Sequence, residues 1–86
     1  MVIDCQSDRF YSIRSRFVAP LYFLDEAPAP VIARLTPVLL LFGHEVVMFP
    51  HYATTVPAPD LGQPVASFAE HYLMLTRAFD VLITGI

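Results

Sequence analysis

His44, Glu45 and His51 fall within eight residues of one another, and these are side-chain types that hold a divalent metal or move a proton. Their spacing matches no zinc pattern, and the glycine before His44 places that histidine in a turn. A metal-dependent enzyme built on these three residues therefore ranks behind the readings below. His71 stands beside Glu70 on the polar side of a C-terminal helical pattern and reads as solvated. Ser67 fits a helix cap better than a nucleophile. The chain has no G-x-S-x-G, no C-x-x-C and, with three glycines, no glycine loop to cradle a phosphate. The lone Cys5 excludes an internal disulfide and a cysteine zinc site, and fits a reducing cytosol. Arg9, Arg14 and Arg16 cluster in sequence, but the chain has no lysine and a formal net charge of −3. The three arginines read as a solvated edge, and direct nucleic-acid binding is not expected. No residue set asks for a cofactor, so the chain reads as a binder and not as an enzyme.

The elements that must position these residues are short. At 86 residues the chain reads as one domain, residues 1–86, near the size where a single core is only just sufficient. Yet 56% of residues are hydrophobic and the mean hydropathy is +0.57, more apolar material than so small a body can hide. A second copy is the simplest cover for the surplus. The longest apolar run, Val38 to Phe42, falls far below the roughly 20 residues of a spanning helix. Asp4, Asp8 and Arg9 stand where a signal peptide needs an apolar core. A soluble cytoplasmic protein with no membrane contact is expected.

Period-two alternation predicts a strand over Val2 to Gln6, with Ile3 and Cys5 on one side. Ser7 to Ser15 reads as loop. Arg16 to Leu24 is rich in β-formers, and Pro20 within it marks an edge strand or a bulge. Leu35 to Phe42 and Glu45 to Phe49 form a hairpin across a type II′ turn at Gly43-His44. A short strand is expected over Thr54 to Val56, and a turn at Asp60 to Gly62. From Ser67 to Ile86 the spacing predicts a helix opened by a Ser67/Glu70 capping box. Its apolar stripe is Phe68, Tyr72, Leu75, Phe79, Leu82 and Ile86; its polar side carries Glu70, His71, Arg77, Asp80 and Thr84. The pattern is mainly β, a small antiparallel barrel or sandwich with a C-terminal α-helix.

The chain resembles the CcdB toxins of bacterial toxin–antitoxin modules over nearly its whole length. Val2-Ile3-Asp4-Cys5-Gln6-Ser7-Asp8 is similar to the family's V-D-V-Q-S-D-type strand. Arg16-Phe17-Val18-Ala19-Pro20-Leu21 is similar to its R-x-V-x-P-L strand. Leu35-Thr36-Pro37-Val38, then Gly43 and Glu45, match its L-x-P-V…G-x-E hairpin. Val56-Pro57, Gly62, Val65 and the closing Gly85-Ile86 follow at the family's spacing. The resemblance implies an SH3-like barrel with a C-terminal helix, a homodimer, and binding to the A subunit of DNA gyrase that traps the gyrase–DNA cleavage complex. It also implies a CcdA-like antitoxin whose flexible tail neutralises the toxin, and no catalysis by the toxin itself.

Two departures qualify what the resemblance implies. The family's opening strand has no counterpart before Val2, so an N-terminally extended chain is expected to be more stable and more soluble. The family's plasmid-borne members end in Trp-Gly-Ile, the tryptophan stacking on gyrase, and here that position is Thr84. Two further gyrase-facing helix positions correspond to Tyr72 and Asp80. The resemblance thus implies a target-binding set of Tyr72, Asp80, Thr84, Gly85 and Ile86. The alternative reading is a dimer of this fold that binds an antitoxin and has lost or changed the gyrase target.

Overall fold

In the computed structural model the described residues are 1–10, 12–32, 34–62, 66–67 and 71–85, the side chains of 8, 66 and 67 excepted. The first strand, β1 (Val2–Asp4), buries Ile3, with Cys5 buried just beyond, as alternation requires. A 3-10 turn at Asp8–Phe10 leads back into β2 (Ser15–Phe23). Next come β3 (Val38–Leu41) and β4 (His44–Met48), then β5 (Thr54–Pro57) after a 3-10 turn at Pro50–Tyr52. A single helical turn, α1 (Ala58–Leu61), ends on Gly62; β6 (Ala66–Ser67) precedes the long helix α2 (Tyr72–Thr84).

The strand order is β3-β4-β2-β1-β6, with β5 also paired to β2; all pairs are antiparallel except β1 with β6. β2 is the spine, not the edge strand that Pro20 could also have marked. It pairs with β5 along Ser15 to Val18 and with β4 along Leu21 to Phe23. Between those ladders β2 advances from Val18 to Leu21, while the opposite chain runs from Thr54 back to Met48. The surplus is the 3-10 turn Pro50–Tyr52. Pro20 lies at that break, where a missing N–H costs nothing, and its carbonyl accepts from the Phe49 N–H at 3.2 Å. The sheet curls there into a half-barrel with α2 at its C-terminal end, the expected small SH3-like barrel plus helix. Ile3, Ala19, Leu21, Leu39, Val46 and Met48 face Leu75 and Ala78 of α2, and the Phe17 and Phe79 rings lie 5.5 Å apart.

Three expectations about the helix and the start of β3 are corrected. The helix begins at Tyr72, not at Ser67, and its N-cap His71 makes no side-chain cap bond. Ser67 sits in β6, in parallel register with Asp4. A cap contributes about 1 kcal/mol, whereas leaving the outer edge of β1 bare would strand backbone groups beside the core. Phe68, Glu70 and Ile86 of that expected helix lie outside the described residues. The buried stripe is narrower than predicted: Leu75 and Ala78 are buried, while Tyr72 is 57% exposed and Leu82 is exposed too. Lastly, β3 starts at Val38 because the residues before it are taken by a turn. Thr36 Oγ accepts the Ile32 N–H at 2.7 Å and donates to the Ile32 carbonyl at 3.1 Å.

The β3–β4 turn is Phe42-Gly43, not Gly43-His44. Both residues have positive φ, 52° and 79°, which makes it a type I′ turn and not a II′ turn. The first position of such a turn favours asparagine, and a left-handed conformation costs most other residues about 1–2 kcal/mol. Phe42 is 83% exposed, so little packing is lost on replacing it. Phe42→Asn is therefore expected to stabilise the fold by about 1 kcal/mol, a rise of several degrees in Tm for a chain of this size. A thermal melt of the two proteins at equal concentration checks this; an unchanged or lower Tm contradicts the turn assignment.

Candidate functional site

The motif residues shared with the resembled family turn out to hold the hairpin together. Arg16 reaches across to Asp4, its Nε and terminal nitrogen donating to Oδ2 at 3.0 and 2.8 Å. The two side chains are only 7% and 13% exposed. Arg16 is thus a buried partner and not part of a solvated edge, while Arg9 and Arg14 are exposed. Asp4 Oδ1 also accepts the Gln6 N–H at 3.0 Å. Gln6 Oε1 accepts the Phe17 N–H and its Nε2 donates to the Phe10 carbonyl, both at 3.1 Å. A half-buried carboxylate with three donors and a glutamine that ties the turn to the next strand are structural devices.

Cys5 belongs to the same hairpin. Burial pushes its thiol up from 9.0 to about 12, and the neighbouring Asp4 carboxylate adds to the shift. Below pH 9 both the folded and the unfolded chain keep this proton. Between pH 9 and 12 the unfolded chain gives it up and the folded chain retains it. This group's contribution to stability therefore falls as pH rises, by about 1.4 kcal/mol per unit. Relative to Cys5→Ala, the native chain should lose urea resistance more steeply from pH 9 to 10.5, and its thiol should resist alkylation until denatured. Parallel pH profiles for the two proteins would contradict the burial.

The implied target-binding residues lie along α2. Asp80 and Thr84 are one turn apart on one exposed face, and Tyr72 lies on the same helix about 12 Å of rise before Asp80. Thr84 Oγ donates back to the Asp80 carbonyl at 2.7 Å, so its hydroxyl is turned onto its own helix. Gly85 takes the left-handed cap conformation, φ 77°, and its N–H donates to the Val81 carbonyl at 2.8 Å. Ile86 lies outside the described residues. The helix thus brings Asp80, Thr84 and Gly85 together at its end, and Tyr72 stands apart at its start. Sequence spacing missed Ile83, which is 80% exposed beside the tip. By helical phase it falls next to Tyr72, at the margin of the apolar stripe.

A groove of about 870 Å³ runs between α2 and the start of β3, with Pro37 and Val38 on one side and Leu73, Met74, Arg77 and Asp80 on the other. Asp80 therefore belongs both to the tip and to the groove wall. The histidines go elsewhere. His44 is exposed on β4 with its ring 5.7 Å from Phe23. His51 is exposed on the 3-10 turn, its ring 4.4 Å from that of Tyr52. His71 is half-buried at the helix start, and not solvated as its helical position had suggested. Among the described residues no three His, Cys, Asp or Glu side chains are placed to hold a metal ion. None of the described helices is long and apolar enough to cross a membrane.

The exposed end of α2 presents Ile83, Asp80 and Thr84, a small surface of apolar and carboxylate groups. No curated protein matches the chain. The model of one protein family, described as CcdB protein, matches residues 1–85. The motif residues that build the β1–β2 hairpin and the β2 spine lie within that match, and the chain belongs to the CcdB family.

Proposed function

We propose that this chain is the toxin of a type II toxin–antitoxin module, a non-enzymatic cytoplasmic homodimer that binds the DNA gyrase A subunit and traps the gyrase–DNA cleavage complex. The observation that carries the reading is the family match over residues 1–85, joined to a solvent-facing α2 end bearing Asp80, Thr84 and Gly85. In this reading Tyr72, Asp80, Thr84, Gly85 and Ile86 meet gyrase. The chemistry of breaking and rejoining DNA stays with gyrase. A ligand that binds the cleaved state more tightly than the resealed state shifts the population toward it, without a catalytic group of its own. A CcdA-like antitoxin opposes this by covering the toxin.

A second reading keeps the dimer and the antitoxin but not gyrase. It is favoured by the Thr84 hydroxyl, turned back on Asp80 at 2.7 Å, where plasmid-borne relatives carry a tryptophan. Calorimetric titration of the chain into purified gyrase A subunit separates the two. Saturable binding that weakens on Asp80→Arg supports the gyrase reading. Absence of heat with a folded dimer favours the second.

A further inference from the structure

β3 ends the sheet. β4 covers one of its sides, and among the described residues no strand pairs with the other. The Met48 N–H donates to the Pro37 carbonyl at 3.0 Å, which fixes the phase of the β3–β4 ladder. Bonded and unbonded positions alternate along an antiparallel pair. Leu39 and Leu41 therefore turn their backbone groups to β4, and Val38 and Leu40 turn their N–H and C=O groups to the open edge. Proteins usually guard such an edge with charge, proline or a bulge. This one reads Val-Leu-Leu-Leu, with Leu40 69% exposed and Val38 exposed on the same face. Beside it lies the groove, whose far wall shows exposed Leu73 and Met74.

We infer that the open edge of β3 pairs antiparallel with the same edge of a second copy, about a two-fold axis at Leu39. This rests on the homodimer of the proposed function and names its interface. Pairing like with like is the self-complementary geometry a two-fold axis demands. The register that uses every outward-facing group sets Val38 opposite Leu40 of the second copy. Each such pair exchanges two hydrogen bonds, and symmetry supplies the pair again. Val38 and Leu40 of both copies then form one apolar strip. The two groove walls face each other, covering Leu73 and Met74. The area also fits: a folded chain of 9.6 kDa exposes roughly 5,100 Å² on average. This chain exposes 5685 Å². The surplus is most of the roughly 800 Å² that each partner gives to a standard interface.

The experiment combines mass with cross-linking. Light scattering at micromolar concentration gives the mass of the native chain and of Leu40→Asp, with circular dichroism confirming that the exposed substitution leaves the fold intact. Val38→Cys and Leu40→Cys proteins are then oxidised mildly, alone and mixed, with Cys5 buried and inert in both. In the inferred register unlike cysteines face each other within disulfide reach, and like cysteines lie diagonally, at about 7–8 Å. The expected result is a dimeric native chain, a monomeric Leu40→Asp, and several-fold more covalent dimer in the mixture than in either protein alone. A monomeric native chain overturns both this interface and the homodimer. A native dimer that survives Leu40→Asp, or that gives no excess cross-link in the mixture, overturns the β3 interface and leaves the homodimer standing.

Discussion

Asp4→Ala is expected to destabilise the fold by about 3–5 kcal/mol, the usual cost of leaving a buried charge, here Arg16, without its partner. The effect is large because the loss is not the Coulomb attraction alone. The Arg16 guanidinium, in a side chain 7% exposed, would lose the carboxylate that receives two of its N–H groups. The Gln6 N–H would lose its acceptor as well. A domain of this size holds roughly 4–13 kcal/mol in total, so the loss is a large share of the stability and the urea midpoint should fall sharply. Arg16→Met alone should cost a similar amount by leaving the half-buried carboxylate without its partner. The pair Asp4→Leu with Arg16→Met removes both charges and should recover most of the loss. Urea denaturation of the four proteins measures this cycle. Additive losses, with the double variant the least stable, would show that the pair is not coupled.

Thr84→Trp is expected to tighten gyrase binding roughly tenfold or more. Binding energy concentrates in a few anchors, most often Trp, Tyr or Arg. An aromatic ring over a guanidinium contributes about 0.5–2 kcal/mol beyond the area it buries, and 1.4 kcal/mol is a factor of ten. Thr84 supplies neither term, and its hydroxyl already serves the Asp80 carbonyl. The position is exposed on the last turn of α2. Gly85 already provides the left-handed cap that ends the helix. Titration of both proteins into the gyrase A subunit reads the change directly; equal affinities would place the contact elsewhere on the molecule.

Much of the scaffold was legible because its signals are local. Alternation placed Ile3 and Cys5 inward, Thr54 to Val56 read as a strand, and the spacing of Leu75 and Phe79 gave the helix its seat. What was not legible depends on partners distant in sequence. Ser67 carries a sound capping signal, but the edge of β1, more than sixty residues earlier, claims that segment for a strand. Arg16 looks solvated until Asp4, twelve residues away, is brought against it. The turn was misplaced by one residue because Gly43 could occupy either position of a primed turn, and only backbone angles show Phe42 taking the first. At the site, the exposure of Asp80 and Thr84 followed from helical phase. Ile83 did not, because an apolar residue at the margin of the stripe is ordinarily assigned to the core.

The central claim is that the end of α2 arrests gyrase on cleaved DNA. Purified gyrase, supercoiled plasmid and the native chain are incubated and then quenched with detergent and protease, and linear DNA is counted. The account predicts linear DNA that rises with the concentration of the chain, and rises further with Thr84→Trp. Linear DNA at background with both proteins, each shown to be a folded dimer, would contradict it.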